Sequence, residues 1–380
     1  MNDTYIVSAV RTPTAKGRPG GALANVRPDE LAAKTLVEVV KRAGLETKDV
    51  EDIIMGCVTQ VGEQGINVGR VAPLLAGFPV EVPAVSINRM CGSSQQAIHF
   101  ASQAIAAGDM DIAIGAGVES MSRVPMGSDW TAPLHPDFPY DLVPQGISAE
   151  MIAEKWELTR DELDDYSFRS HVRAAEATNQ CYFSREIMPV EVEKDGDTVT
   201  VSVDEGIRFN PNREKMAQLD PVFKVGGVVT AANSSQISDG AAAVLVASEK
   251  ALKEFDLTPR ARIIARAVVG VDPVLMLSGP IPATHKVLKK AGLTMDDIDL
   301  FEVNEAFASV VLAWAKELQP NMDKVNVNGG AIAMGHPLGA SGARLMVTLL
   351  HELERRGGRY GLQTMCIGHG MATATIIERV

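Results

Sequence analysis

Apolar residues along the chain recur at two spacings, continuous short runs and one-sided helical stripes, and the boundaries between them predict most of the elements. TYIVSAV near the start is an apolar run of strand length. Residues 29–43, DELAAKTLVEVVKRA, put their apolar groups on one helical face, with Asp29 and Glu30 in the first turn and Gly44 as a stop, so a helix is predicted there. GLETKDVEDIIMGCV then reads as a loop leading into a short apolar strand. Between 82 and 108 the pattern predicts a strand at AVSI, a turn at NRMCGSS and a long helix of small residues. FEVNEAFASVVLAW, 301–314, passes from strand to helix, and 326–350 from a glycine-rich loop to another helix.

The pattern repeats. AGLETKDVE at 43–51 aligns without a gap on AGLTMDDID at 291–299, a displacement of 248 residues, and GSS at 92–94 corresponds to GAS at 339–341, a displacement of 247. Two matches at nearly equal displacement, both in loop-to-helix contexts, point to duplicated α/β units. Such a duplication brings equivalent loops, those bearing Cys91 and His336, to one cleft. Residues 119–226 differ in character: a proline-rich stretch, the helical AEMIAEKWELTRDELDDYSFRSHVRAAEA, and a charged run containing EVEKDGDTV. The expected organisation is therefore a first half at 1–118 plus about 227–258, an inserted domain at 119–226, and a second half at 259–380.

Composition narrows the class. With 380 residues and 46% hydrophobic content the chain can bury large cores, and 5% aromatics suits small-residue helices packed on strands. A formal charge of −12 disfavours nucleic acid as a partner, so any phosphate must be met by local cations. Four widely spaced cysteines, Cys57, Cys91, Cys181 and Cys366, favour reduced thiols and a cytoplasmic location. No apolar run is long enough for a membrane span, and no import signal is read.

Four segments carry candidate chemistry. Cys91 falls at the predicted start of a helix, where free N–H groups and the helix dipole would lower the thiol pKa; a small buried core residue is the alternative. His336 is fixed before Pro337 in a glycine-rich loop and could take a proton from a thiol or simply hold the loop. Cys366 lies where a strand breaks into glycines, and the N–H groups of Gly368 and Gly370 could face a developing oxyanion. Asn304, between a strand and a helix, could orient a water or cap the helix. Cys366 and His369 lack a matching pair of ligands, so no metal is expected.

Together the blocks Cys-Gly-Ser-Ser, Asn-Glu-Ala-Phe, Asn-x-Asn-Gly-Gly…Gly-His-Pro-x-Gly-x-Ser-Gly and Cys-Ile-Gly-x-Gly closely resemble the thiolase family over essentially the whole chain. The resemblance implies an α/β fold of two duplicated mixed-sheet halves in α-β-α-β-α layers, carrying an inserted loop domain. It implies an acyltransferase that cleaves a 3-ketoacyl-CoA with CoA, releasing acetyl-CoA, by way of an acyl group on Cys91. His336 would take the Cys91 proton, and Cys366 would act as the acid or base at the substrate carbon. One oxyanion would sit with His336 and a water held by Asn304, the other with the backbone N–H groups of Cys91 and Gly368. Arg208 matches an arginine near the adenine end of CoA, Ser235 a serine on the pantetheine arm, and Phe307 a tunnel-lining residue. No permanently bound cofactor is implied, coenzyme A being a substrate, and a homodimer or homotetramer is expected.

The chain departs from short-chain acetoacetyl-CoA members, which commonly have His-Met before the glycine that here follows Pro144 and Gln145, and glycine where His369 stands. NSSQISDG resembles the degradative type instead, leaving biosynthetic acetoacetyl-CoA formation as the alternative. A ketoacyl synthase would usually pair its cysteine with two histidines, and Cys366 speaks against it. An inactive acyl-CoA or lipid carrier is a more remote reading, since all four catalytic positions are filled.

Overall fold

The computed structural model describes residues 2–194 and 196–380. In chain order the first half comprises β1 (Thr4–Arg11), β2 (Ala15–Lys16), α1 (Pro28–Ala43), β3 (Asp52–Gly56), α2 (Val68–Leu75), β4 (Ala84–Ile87), α3 (Ser93–Ala107) and β5 (Ile112–Ser120). The chain then leaves the sheet for α4 (Gln145–Lys155), α5 (Arg160–Asn179), β6 (Val190–Lys194), β7 (Asp197–Val201) and α6 (Arg213–Ala217). It returns with β8 (Ser238–Ser248) and α7 (Glu249–Glu254). The last part comprises β9 (Ala261–Gly270), α8 (Pro280–Ala291), β10 (Leu300–Val303), α9 (Ala308–Leu318), α10 (Ala331–Met334), α11 (Ser341–Arg356), β11 (Tyr360–Ile367) and β12 (Met371–Arg379).

Local chemistry explains the element ends. Pro28 occupies the first turn of α1, Asp29 and Glu30 face its positive end, Lys41 and Arg42 its negative end, and Gly44 closes it at φ 75°. α8 closes the same way on Gly292 at φ 68°. The helical stretch after Pro144 is two helices, because Glu157 turns to φ 49° and Thr159 with Glu162 forms a capping box that starts α5 afresh. The charged run around 190–201 is an antiparallel hairpin of β6 and β7, in which Val190 and Val192 face the core while their neighbours face solvent.

The duplication is visible in the sheet. In the first half the spatial order is β4-β3-β5-β8-β1, parallel between β4 and β3 and between β3 and β5, antiparallel thereafter. In the second half a parallel bridge from Val325 to Phe301 precedes β10-β11-β12-β9, with parallel and antiparallel pairs in the same sequence. The halves meet edge to edge where β1 pairs antiparallel with β9, Tyr5 opposite Arg262 and Ile6 opposite Ala261.

Three large apolar clusters lie between helices and strands, the central one touching both sheets. α1 and α2 pack on one face of the first half through Leu31, Leu36, Val39 and Val68. α8 and α9 pack on the outer face of the second through Val287, Val311 and Trp314. Between the sheets lie α3 and α11, where Ile98, Ile105, Val347 and Leu350 meet Val244 and Ile377. Each such Leu, Ile or Val contributes about 1.5–3 kcal/mol by leaving water. β5 and β8 are buried at every position, which is why they read as unbroken apolar runs. The N-termini of the two central helices open toward the same region, and the candidate site lies there.

Candidate active site

Cys91 stands one residue before Gly92, the N-cap of α3, in a turn whose strain falls on Met90 at φ 46°. Gly92 lets the turn lie against β11, since a Cβ there would meet the Ile367 side chain at 2.3 Å and force it to move. The backbone N–H groups of Cys91 and Gly368 bear on the Cys91 sulfur. These donors favour a thiolate, but burial outweighs them and pushes the thiol up to about 11. This corrects the expectation that a helix start would lower the thiol pKa. The dipole and the donors are present, and desolvation of the anion is the larger effect.

His336 follows Gly335, whose φ of 108° turns the chain inward, and its backbone N–H donates to Gln236 O at 3.0 Å. Ser341, the first residue of α11, donates its hydroxyl to Pro337 O at 2.8 Å, leaving its lone pairs to accept from His336 Nδ1. The network thus assigns the proton to Nδ1 and leaves Nε2 unprotonated, accepting from Asn304 Nδ2 at 3.3 Å. Burial, with Arg344 as the second cause, lowers the imidazole to about 3, so the ring is neutral and able to accept a proton. Asn304 is fully buried, and its backbone N–H donates to Thr364 O at 3.0 Å. Its Oδ1 has no hydrogen-bond partner among the described residues. It does not cap α9, whose N-cap is Phe307 and which has no side-chain cap, so the capping alternative does not apply.

Cys366 lies near the end of β11, fully buried beside Cys91, and both burial and the neighbouring thiol push it well above the ordinary thiol range. Burial thus holds both thiols in the neutral form at rest. The turn 368–370 carries His369 at φ 60° and Gly370 at φ 75°; a Cβ on Gly370 would meet Val271 O at 2.6 Å. The His369 ring lies edge-on to Trp130, centroids 6.2 Å apart. All four cysteines are free.

Two carboxylates that sequence reasoning passed over hold these loops. Glu119, buried at the end of β5, accepts from Val58 N, Thr59 N, Gln64 Nε2 and Gly339 N at 2.8–3.0 Å. Val58 O in turn accepts from Asn88 Nδ2, and Asn88 Oδ1 accepts from Met90 N, so the turns of Cys91 and His336 hang from one side chain. Glu305 accepts from Tyr166, Ser170, Asn326 and Ile332 N at 2.7–3.2 Å and fixes the loop leading to His336. The available signal was a carboxylate inside or beside an apolar run, which must find several donors to be buried.

The family model described as the thiolase N-terminal domain matches residues 4–250, and that of the C-terminal domain matches 257–379. The chain belongs to the thiolase family. It is 48% identical to the steroid 3-ketoacyl-CoA thiolase of Mycobacterium tuberculosis, covering 100% of this chain and 95% of the relative. It is 47% identical to a 3-ketoacyl-CoA thiolase of Vibrio cholerae over 100% of both chains. The crystal structure of the Bacillus anthracis acetyl-CoA acetyltransferase superposes with a TM-score of 0.94 at 40% identity, covering 100% of this chain and 99% of that one.

In this thiolase the cluster adjoins a cavity of about 620 Å³ lined by His171, Arg208, Lys215, Ala232, Gln236 and Ile332, among others. Gln236 joins the two, since its carbonyl receives the His336 N–H and its Nε2 donates to Ala333 O at 3.0 Å. Arg208 and Lys215 are the cations of this wall. Ser235 is half-buried, its N–H donating to Ala306 O at 2.9 Å; it neighbours the lining residue Gln236 without lining the cavity itself. Phe307 is buried against Phe223, ring centroids 6.0 Å apart, and Gly146 lets Phe223 lie close, as a Cβ there would meet the ring at 2.2 Å. Among the described residues, no helix is long and apolar enough to cross a membrane.

Proposed function

We propose that the chain cleaves a 3-ketoacyl-CoA with CoA to give acetyl-CoA and a shortened acyl-CoA. The observation that carries this reading is the convergence of a buried thiol with two N–H donors, a second thiol beside it, and an imidazole whose unprotonated nitrogen faces an amide. The Cys91 proton passes to His336 as Sγ bonds to C3, and the C3 oxygen takes the carbonyl electron pair facing the N–H groups of Cys91 and Gly368. On collapse the C2–C3 bond breaks, its electrons form the acetyl-CoA enolate, and Cys366 supplies the proton to C2. CoA then gives its proton to the Cys366 thiolate and attacks the acyl carbon. Cys91 leaves and regains its proton from His336.

In this reading the enolate oxygen is held near Asn304 and His336, with a water filling the acceptor gap at Asn304 Oδ1. Arg208 and Lys215 meet the CoA phosphates in an otherwise acidic protein, and Phe307 lines the way to the thiols. Coenzyme A enters as a substrate. The exposed edge of β4, where Val85 faces solvent with Ile66 and Leu74 nearby in the chain, suits a second copy, and we read the enzyme as a homo-oligomer. The relatives named for 3-ketoacyl-CoA support the degradative direction, and the Bacillus anthracis structure keeps condensation of two acetyl-CoA as the second reading. CoA-dependent loss of the 3-ketoacyl-CoA enolate absorbance, run over short, long and ring-bearing acyl groups, tests it. No turnover of any of them, with no acyl mass on Cys91, overturns it.

A further inference from the structure

One side chain in the cavity wall reaches toward both the cations and the imidazole. Gln236 Nε2 donates to Gly206 O at 3.1 Å, to Ile332 O at 2.9 Å and to Ala333 O at 3.0 Å. The two hydrogens of one amide thus serve three carbonyls from two segments far apart in the chain. Arg208 lies two residues beyond Gly206, and His336 lies three residues beyond Ala333. Gln236 lines the cavity together with His171, Arg208 and Ile332.

The junction is tight on both sides. A Cβ on Gly206 would lie 2.8 Å from Ala333 O and 2.8–2.9 Å from the Gln236 amide atoms, so glycine lets the arginine-bearing loop come this close. Ile207 is buried in one cluster with Ala174, Ala333 and Met334, and Arg208 N donates to His171 Nδ1 at 3.2 Å. On the other side, the backbone carbonyl of Gln236 accepts from His336 N at 3.0 Å and from the Ser238 hydroxyl at 2.9 Å. The same His336 N–H reaches Ser238 Oγ at 3.2 Å. Carbonyls that converge on one point repel unless a donor lies between them, so the amide is what lets these segments meet.

We propose that Gln236 is a positioning residue of this thiolase that couples the coenzyme cavity to the catalytic imidazole, its amide placing Arg208 and His336 relative to each other. The inference rests on the readings of Arg208 as a CoA phosphate contact and of His336 as the acceptor of the Cys91 proton. A carboxamide suits the task because it is neutral and presents two hydrogens from one point, whereas a thioether of the same length presents none. Without the amide, the guanidinium loses its fixed place on the cavity wall. The imidazole keeps its backbone and Ser341 bonds but loses the support of the turn before it. A displaced cation weakens the hold on the coenzyme and a displaced proton acceptor slows the chemistry, so two kinetic parameters move together.

The test uses the full-length enzyme as Gln236→Met, Gly206→Ala, Arg208→Ala and the double variant of Gln236→Met with Arg208→Ala. Thiolysis kinetics with CoA varied are run beside melting. Gln236→Met is expected to raise KM for CoA about 3- to 10-fold and to lower kcat about 5- to 30-fold. Gly206→Ala, which parts the same junction from the other side, should move both in the same directions, and it carries the comparison should Gln236→Met not fold. Arg208→Ala should raise KM about 10-fold. In the double variant KM should stay within about twofold of Arg208→Ala alone, since the placement of a missing guanidinium no longer matters. An unchanged KM and kcat in Gln236→Met overturns the proposal, as do KM increases that multiply in the double variant, or a lower Tm with neither parameter moved. If Arg208→Ala leaves KM unchanged, the phosphate reading of Arg208 falls and the coupling with it. If Arg208→Ala raises KM and Gln236→Met does not, only the role of Gln236 falls.

Discussion

The starts of α3 and α11 are two copies of one device that carry different chemistry. Gly92-Ser93-Ser94 and Gly339-Ala340-Ser341 occupy equivalent places, and the residues before them, Cys91 and Leu338, pack in the same small cluster with Met365 and Ile367. In the first copy the residue before the glycine is a thiol and Ser94 is spent on scaffolding, its hydroxyl accepting Ala343 N at 2.8 Å. In the second that place is aliphatic, and Ser341 instead orients His336, five residues earlier. The helix start is thus a reusable mount. What it presents depends on which neighbouring position carries a reactive group.

The deepest cut is Cys91→Ala. It should lower kcat for thiolysis by about 10⁴-fold or more and abolish the acyl mass adduct, since it removes the group that takes the acyl chain. A residual adduct at wild-type level would place the nucleophile elsewhere. Cys366→Ser should come next, with thiolysis down by about 10²–10⁴-fold. Its Cys91 should still accept an acetyl group from acetyl-CoA, because that transfer breaks no carbon–carbon bond. Loss of the adduct as well would show that the two thiols do not divide the work as proposed.

The same deletion made at both mounts then separates them. Ser341→Ala leaves the His336 tautomer unsupported and should cost about 1–2 kcal/mol in the barrier, roughly 5- to 30-fold in kcat. Ser94→Ala should cost about 1 kcal/mol of stability, seen as a lower melting temperature, with kcat within about twofold of wild type. Equal kcat losses in the two variants would remove the distinction between them.

The smallest effect is common to both regions. Burial holds His336, His99 and His351 neutral down to about 3 and His171 down to about 4. The unfolded chain protonates the same rings near pH 6.5, so it binds more protons than the fold throughout this window. Their contribution to stability is complete above pH 6.5 and is lost as pH falls toward 4 and then 3. Melting temperature should therefore drop progressively between pH 7 and 4.5, and a flat profile would mean that these rings titrate in the folded state.

Much of this organisation was legible because it rests on short-range rules. Gly44 and Gly292 mark helix ends through a left-handed conformation that glycine adopts without cost, and the strand, turn and helix around Cys91 follow from a change of apolar spacing. The matched segments anticipated two halves, and the equal pairing patterns of their sheets extend that to the topology. The hairpin at 190–201 escaped notice because its strands are five residues each and β7 is largely exposed, so the alternation of Val190, Val192, Val199 and Val201 with polar residues is short and weak. The direction of the Cys91 shift was also out of reach, because burial is a sum over neighbours from both halves. Glu119 was missed for a related reason: it acts through partners far away in sequence, Gly339 among them.

The antiparallel seam between β1 and β9 has a consequence beyond joining two sheets. Like edges meeting head to tail is the contact a two-fold symmetric pair of identical subunits makes with itself. A pair of that kind must carry every feature twice, so a residue improved for one role is imposed on both copies. Once the copies are joined in a single polypeptide, each position can be selected alone. The cysteine before α3 and the leucine before α11 record that release from symmetry.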